Sequence, residues 1–144
     1  MRLGTIFLFI VSLSVTAQEQ ASPQAAVERY FDYFNSEDRE ALNSASGKPF
    51  VFIMSGKAQT YDRYGDAVDF EGMKNSGWAY SRIHDSELVY ADEATAMVAI
   101  NFSRYDRSDK PISTTDVIYL LVNIDEQWLL KAGYVNGSLT LGKD

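Results

Sequence analysis

The sequence predicts an α+β fold in which a curved antiparallel sheet wraps around N-terminal helices. Three observations carry this. Val27, Tyr30, Phe31 and Phe34 fall at the i, i+3, i+4, i+7 spacing of one helix face. From Trp78 onward the chain reads as long β-rich runs parted by short polar turns. Helices and a hairpin come first and the long strands last, an order that segregates helices to one face of a sheet.

Each element follows from local chemistry. Ser22 is placed to cap a first helix that Pro23 opens, because proline at the first helical position gives up an N–H that has no partner there anyway. Asn35-Ser36-Glu37-Asp38 interrupts that helix, and residues 38–44 read as a second helical turn. Ser46-Gly47-Lys48-Pro49 is read as a chain break. Residues 50–54 and 58–61 form a hairpin around Ser55-Gly56-Lys57. Residues 66–75 read as one short helix, with Ala67, Phe70 and Met73 on a face and Gly77 as its stop. Strands are expected over 81–91, 94–105, 112–124 and 128–135, the last three as a meander.

Composition bounds the function. The 144 residues suit one domain, and 46% apolar content is enough for a core. A formal net charge of −7 argues against nucleic acid and against anionic membrane surfaces as partners. With no cysteine, disulfides, thiolate catalysis and cysteine-based zinc sites are excluded, and a single histidine, His84, excludes a multi-histidine metal site. No metal ligand set and no cofactor motif is read. The N-terminus carries Arg2, an uncharged run from Leu3 to Val15, and small residues ending at Ala17. This has the form of a secretory signal over residues 1–17, too short to span a bilayer comfortably. A polar leader over 18–22 and a domain over 23–144 follow, exported to a bacterial periplasm or the cell exterior. Once the signal is removed, no membrane attachment is expected.

The stretches AAVERYFDYFNSEDREAL, FVFIMSGKAQTY, Gly77-Trp78 closing a helix, HDSELVYADEATAMVAI and TTDVIYLLVNIDEQWLLKAGYVNG appear in that order. Together they resemble the nuclear transport factor 2-like superfamily, the SnoaL-like or cystatin-like α+β cone. The resemblance implies a pocket between the concave sheet face and the helices, and homodimers through the outer sheet face. It implies no single activity, since the superfamily holds dehydratases, isomerases, epoxide hydrolases and domains that only bind.

Three functional readings follow. The first is a small-ligand binding domain for an apolar or aromatic molecule, with Tyr30, Phe34, Trp78 and Tyr134 as walls, Tyr64 in the loop over the pocket, Asn101 on the polar face of its strand, and His84 and Asp116 as polar anchors. The second is a SnoaL-like lyase or isomerase. His84 stands where dehydratases of that group place a catalytic histidine, and an aspartate after a tyrosine late in their first helix orients it. Here the matching pair is Phe34-Asn35, so Asp116 or Asp32 would have to substitute. An isomerase would draw on Tyr30, Tyr33, Tyr61, Tyr64 or Tyr134, and a hydrolase relay on Arg82, Arg104 and Asp116. The third is a dimeric interaction module with a filled cone. Alternation over residues 96–105 puts Ala96, Val98, Ile100 and Phe102 on the core face. In the last strand an outward Lys131 would turn the row from Trp128 to Tyr134 toward the helices.

Overall fold

The computed structural model describes residues 22–143. The signal read over residues 1–17, and the leader before Ser22, lie outside the described residues. Helix α1 (Pro23–Asn35) opens as expected, with Ser22 Oγ accepting the Ala25 N–H at 3.1 Å. Its face of Val27, Tyr30, Phe31 and Phe34 is buried, each side chain contributing on the order of 1.5–3 kcal/mol through removal from water. Asp38 caps α2 (Arg39–Ser44) by accepting the Ala41 N–H, and Leu42 is driven fully inside.

Two local expectations are corrected. Residues 46–49 do not break the chain; they begin strand β1 (Ser46–Met54), which pairs in parallel with the last strand. The pairing lapses between Ser46 and Val51, around Pro49, which has no N–H to give a ladder. The single helix expected over 66–75 is two pieces, a 3-10 turn at Tyr64–Ala67 and helix α3 at Phe70–Asn75. Val68 and Asp69 between them are extended, because the Asp69 carboxylate accepts the Gly72 N–H and starts a new helix.

The hairpin partner is β2 (Lys57–Tyr61), and the meander is β3 (Tyr80–Ala91), β4 (Thr95–Tyr105), β5 (Pro111–Ile124) and β6 (Gln127–Val135). The six strands lie in the order β2-β1-β6-β5-β4-β3, antiparallel except for β1 with β6. On the concave face Ala96, Val98, Ile100 and Phe102 of β4 and Val117, Tyr119 and Leu121 of β5 are all buried, and α1 meets it where Phe31 packs on Phe102 and Tyr30 on Tyr119. Among the described residues no helix is long and apolar enough to cross a membrane.

The facing of β6 departs from simple alternation. Leu121 pairs with Leu130 but Leu120 pairs with Ala132, so Lys131 is an extra residue in a bulge. Side chains beyond it change faces. Leu130 is inward, whereas Tyr134 is turned outward and 56% exposed, with Gly133 and Val135 facing the core in its place. A second bulge falls in β3, where Ile83 pairs with Phe102 and Asp85 with Asn101, leaving His84 between them.

Candidate functional site

The concave side encloses a cavity of ≈ 20 Å³, room for about one water. Its walls come from several elements: Tyr30 and Phe34 from α1, Tyr64 from the 3-10 turn, Arg104 from β4, Tyr119 from β5, and Leu141 from the C-terminal segment. Tyr30 is the hub. Its hydroxyl hydrogen-bonds that of Tyr64, and its ring meets those of Tyr64 and Tyr119 edge-on at centroid distances of 5.1 and 5.5 Å. Burial raises the hydroxyl pKa of all three tyrosines, Tyr119 to about 12, because a phenolate would be stripped of water there.

Arg104 continues the inward row of β4 two residues past Phe102, and is 6% exposed. Its Nη1 donates to the Thr140 carbonyl at 2.6 Å, while Nε has no hydrogen-bond partner. Among the described residues the ion pairs are Arg63–Glu40, Lys74–Glu37 and Lys74–Glu71, so no carboxylate pairs with Arg104. Desolvation lowers the pKa of its guanidinium.

Residues 137–143 close this side of the cone. Leu139 and Leu141 line the cavity, and the Asp69 N–H donates to the Leu141 carbonyl at 2.7 Å. The Lys143 ammonium donates to the Asp66 carbonyl.

Tyr30, Phe34 and Tyr64 are thus brought together. Trp78 sits one layer behind, packed edge-on against Phe34 at 5.4 Å, with its indole N–H donated to Ser81 Oγ at 3.0 Å. Asn35 does not face His84; its side-chain amide donates to the Ser81 carbonyl and accepts the Ser81 N–H, both at 2.8 Å.

The remaining candidates lie on the outer face. Asp116 accepts from Asn101 Nδ2 at 2.7 Å, and both line a groove of ≈ 360 Å³ with Asp85, Glu87, Ile118 and Tyr134. The bulge presents His84 to the same side of the sheet. Its Nε2 is 2.8 Å from Ser103 Oγ and 3.3 Å from the Tyr105 hydroxyl, and Ser103 bonds Thr114 at 2.6 Å. The hydrogen-bond partners of His84 are therefore hydroxyls, and Asp32 is exposed on α1. Arg104 and Asp116 occupy opposite faces of the sheet, so the relay of Arg82, Arg104 and Asp116 is not assembled.

Sequence reasoning passed over Tyr119 and the C-terminal leucines, and weighed Arg104 only for that relay. The inward row Val117-Tyr119-Leu121 carried the first signal, and extending the β4 row past Phe102 would have carried the third. The spacing of Leu139 and Leu141 hinted at the second.

A six-stranded sheet curved over an aromatic helix, with polar groups gathered inside, defines an α+β cone domain. The chain belongs to the family described as NTF2-like protein (DUF6841), whose model matches residues 19–136. No curated protein matches it. Among solved structures it is similar to a protein of unknown function with a cystatin-like fold from Nostoc punctiforme, at 13% identity and TM-score 0.67, covering 88% of this chain and 96% of that one. It is also similar to an NTF2-like protein from Cytophaga hutchinsonii, at 16% and 0.61 over 80% and 94%. A ketosteroid isomerase-like protein from Erwinia carotovora atroseptica is similar at 17% and 0.57 over 83% and 95%. At these identities the likeness speaks for the fold.

Proposed function

We propose that this is an exported binding domain that holds a small apolar or aromatic molecule inside the cone. The observation that carries the reading is the convergence of Tyr30, Tyr64, Tyr119 and Arg104 on one aromatic-walled interior. Ligand sites are concave, mostly apolar, and carry a few polar groups that fix orientation. With residues 137–143 in place the interior admits about one water, so the ligand enters as Leu139 and Leu141 withdraw. Binding is favoured over catalysis because His84, the chain's one histidine, stands outside the cone with hydroxyls as its partners and no carboxylate among the described residues to orient it. The test is a screen of aromatic fragments against the full chain by protein-observed NMR. Saturable shifts at Tyr30, Tyr64 and Tyr119 support the reading; shifts confined to the outer groove would refute it.

A second reading, homodimerisation through the outer sheet face, is favoured by one observation. Ile118 and Tyr134, paired across β5 and β6, are 42% and 56% exposed, and Met97 on the same face is 40% exposed.

A further inference from the structure

We propose that Arg104 is the anchor of an anion site inside the cone, and that the ligand is a small organic carboxylate with an apolar or aromatic body. This rests on reading the interior as the ligand site. A charge taken out of water is ordinarily paired, because its lost hydration must be replaced. Arg104 is nine-tenths buried, yet no carboxylate among the described residues pairs with it. Its contact is a neutral one, the Thr140 carbonyl, supplied by the segment that plugs the cone. Its Nε faces no acceptor. An Nε–H together with a neighbouring terminal N–H forms the side-on fork that grips a carboxylate with two parallel bonds.

The surroundings fit the same ligand. Tyr30, Tyr64 and Tyr119 carry hydroxyls that burial keeps protonated, hence able to donate to a carboxylate oxygen. Phe31, Phe34, Phe52 and Phe102 supply apolar wall for the rest of the molecule. The Thr140 carbonyl holds Nη1, outside that fork, and Leu139 and Leu141 stand in for the apolar body. Withdrawal of the segment makes room for the ligand, whose carboxylate gives Nε the charged acceptor it lacks.

The experiment titrates the full chain, labelled with nitrogen-15, with benzoate and with benzyl alcohol of similar size. The Arg104 Nε–Hε resonance is assigned by its loss in Arg104→Lys. A second full-length chain carries Leu139→Ala and Leu141→Ala to loosen the plug. Benzoate is expected to move the Arg104 resonance saturably and to bind at least about tenfold tighter than benzyl alcohol, the difference a charge-assisted bond supplies. The loosened chain is expected to bind both probes more tightly, and Arg104→Gln to erase the preference for benzoate while leaving benzyl alcohol bound. A response in the loosened chain alone also supports the site, with the plug as its closure. Equal affinities for the two probes would overturn the anion anchor and leave interior binding standing. No response to either probe in either chain would overturn both. If the substituted chains do not fold, the unsubstituted chain decides: an unmoved Arg104 resonance under saturating benzoate refutes the proposal.

Discussion

Gly72 and Gly142 meet so closely that a Cβ on Gly72 would stand 2.3 Å from the Gly142 carbonyl oxygen. The C-terminal segment lies on α3 because neither residue has a side chain. Gly142 is the stricter of the two, with φ at +87 and a virtual Cβ only 2.0 Å from the Asp69 carbonyl oxygen. Gly142→Ala is therefore expected to lift the segment off the cone. The loss of the Asp69–Leu141 hydrogen bond and of Leu141 burial should cost about 2–3 kcal/mol in urea denaturation. Amide exchange distinguishes this from general unfolding: Asp69 N–H should lose protection while the amides of β4 and β5 keep theirs.

Alkaline pH should weaken the domain through its buried tyrosines. Each has a folded pKa above its unfolded value near 10, so its stabilising effect is complete below pH 10 and is lost as pH rises toward the folded pKa. For Tyr119 the window runs from about 10 to about 12, worth roughly 2–3 kcal/mol over those two units. Denaturation midpoints measured from pH 8 to pH 11.5 should fall, and Tyr119→Phe should flatten the slope. Tyrosinate absorbance should show Tyr30, Tyr64 and Tyr119 ionising only with unfolding.

Periodicity makes most of the fold legible in the sequence. The α1 face, the β4 row and the order of elements follow from 3.6-residue and two-residue repeats, which the order of residues alone reveals. An insertion in a ladder is not periodic. Lys131 is an outward residue on the plain alternation, yet as the bulge it reverses everything after it and turns Tyr134 away from the helices. Its ammonium, donated to the Pro49 carbonyl at 2.7 Å, depends on a strand 82 positions distant, which no local window contains. The bulge at His84 re-aims the histidine by the same device. The site residues on α1 were legible because they were also core residues. The closing segment was not, because its partners Asp69 and Arg104 lie far off in the chain.

If the outer face joins two copies, its centre is the cross-strand row Ala99-Ile118-Tyr134. Ile118→Asp would set a charge beside Asp116 and Glu87 in the same groove. It is expected to convert a dimer to a monomer in sedimentation velocity with little change in the fold. An unsubstituted chain that sediments as a monomer at all concentrations would dispose of that reading.

The proposed export is tested by mass. A chain expressed with residues 1–17 in a bacterial host should be recovered outside the cytoplasm with Gln18 at its N-terminus, and Ala17→Arg should block that processing. Intact-mass measurement of the recovered protein checks both.

Asn35 ends α1 beside the start of β3, and the geometry explains what its amide accomplishes there. One amide serves both the N–H and the C=O of Ser81, tying the end of α1 to the start of β3. A carboxylate can accept the N–H, but it has no proton to offer the carbonyl 2.8 Å away. Asn35→Asp should therefore cost about 1–3 kcal/mol at neutral pH, the range for a lost donor facing a part-buried acceptor. The carbonyl favours the protonated acid, so the folded pKa of the new group rises above its unfolded value near 3.9. Stability supplied by the protonated acid is complete below that value and is lost as pH rises through the folded pKa. Urea midpoints for Asn35→Asp and the unsubstituted chain should thus converge on acidification and diverge toward neutrality. Asn35→Ala should show a deficit that does not vary with pH in this way. A variant Asn35→Asp as stable as the parent at pH 7 would mean that the amide bridge contributes nothing. In that case Asn35 would no longer account for how α1 and β3 are held together at the mouth of the cone.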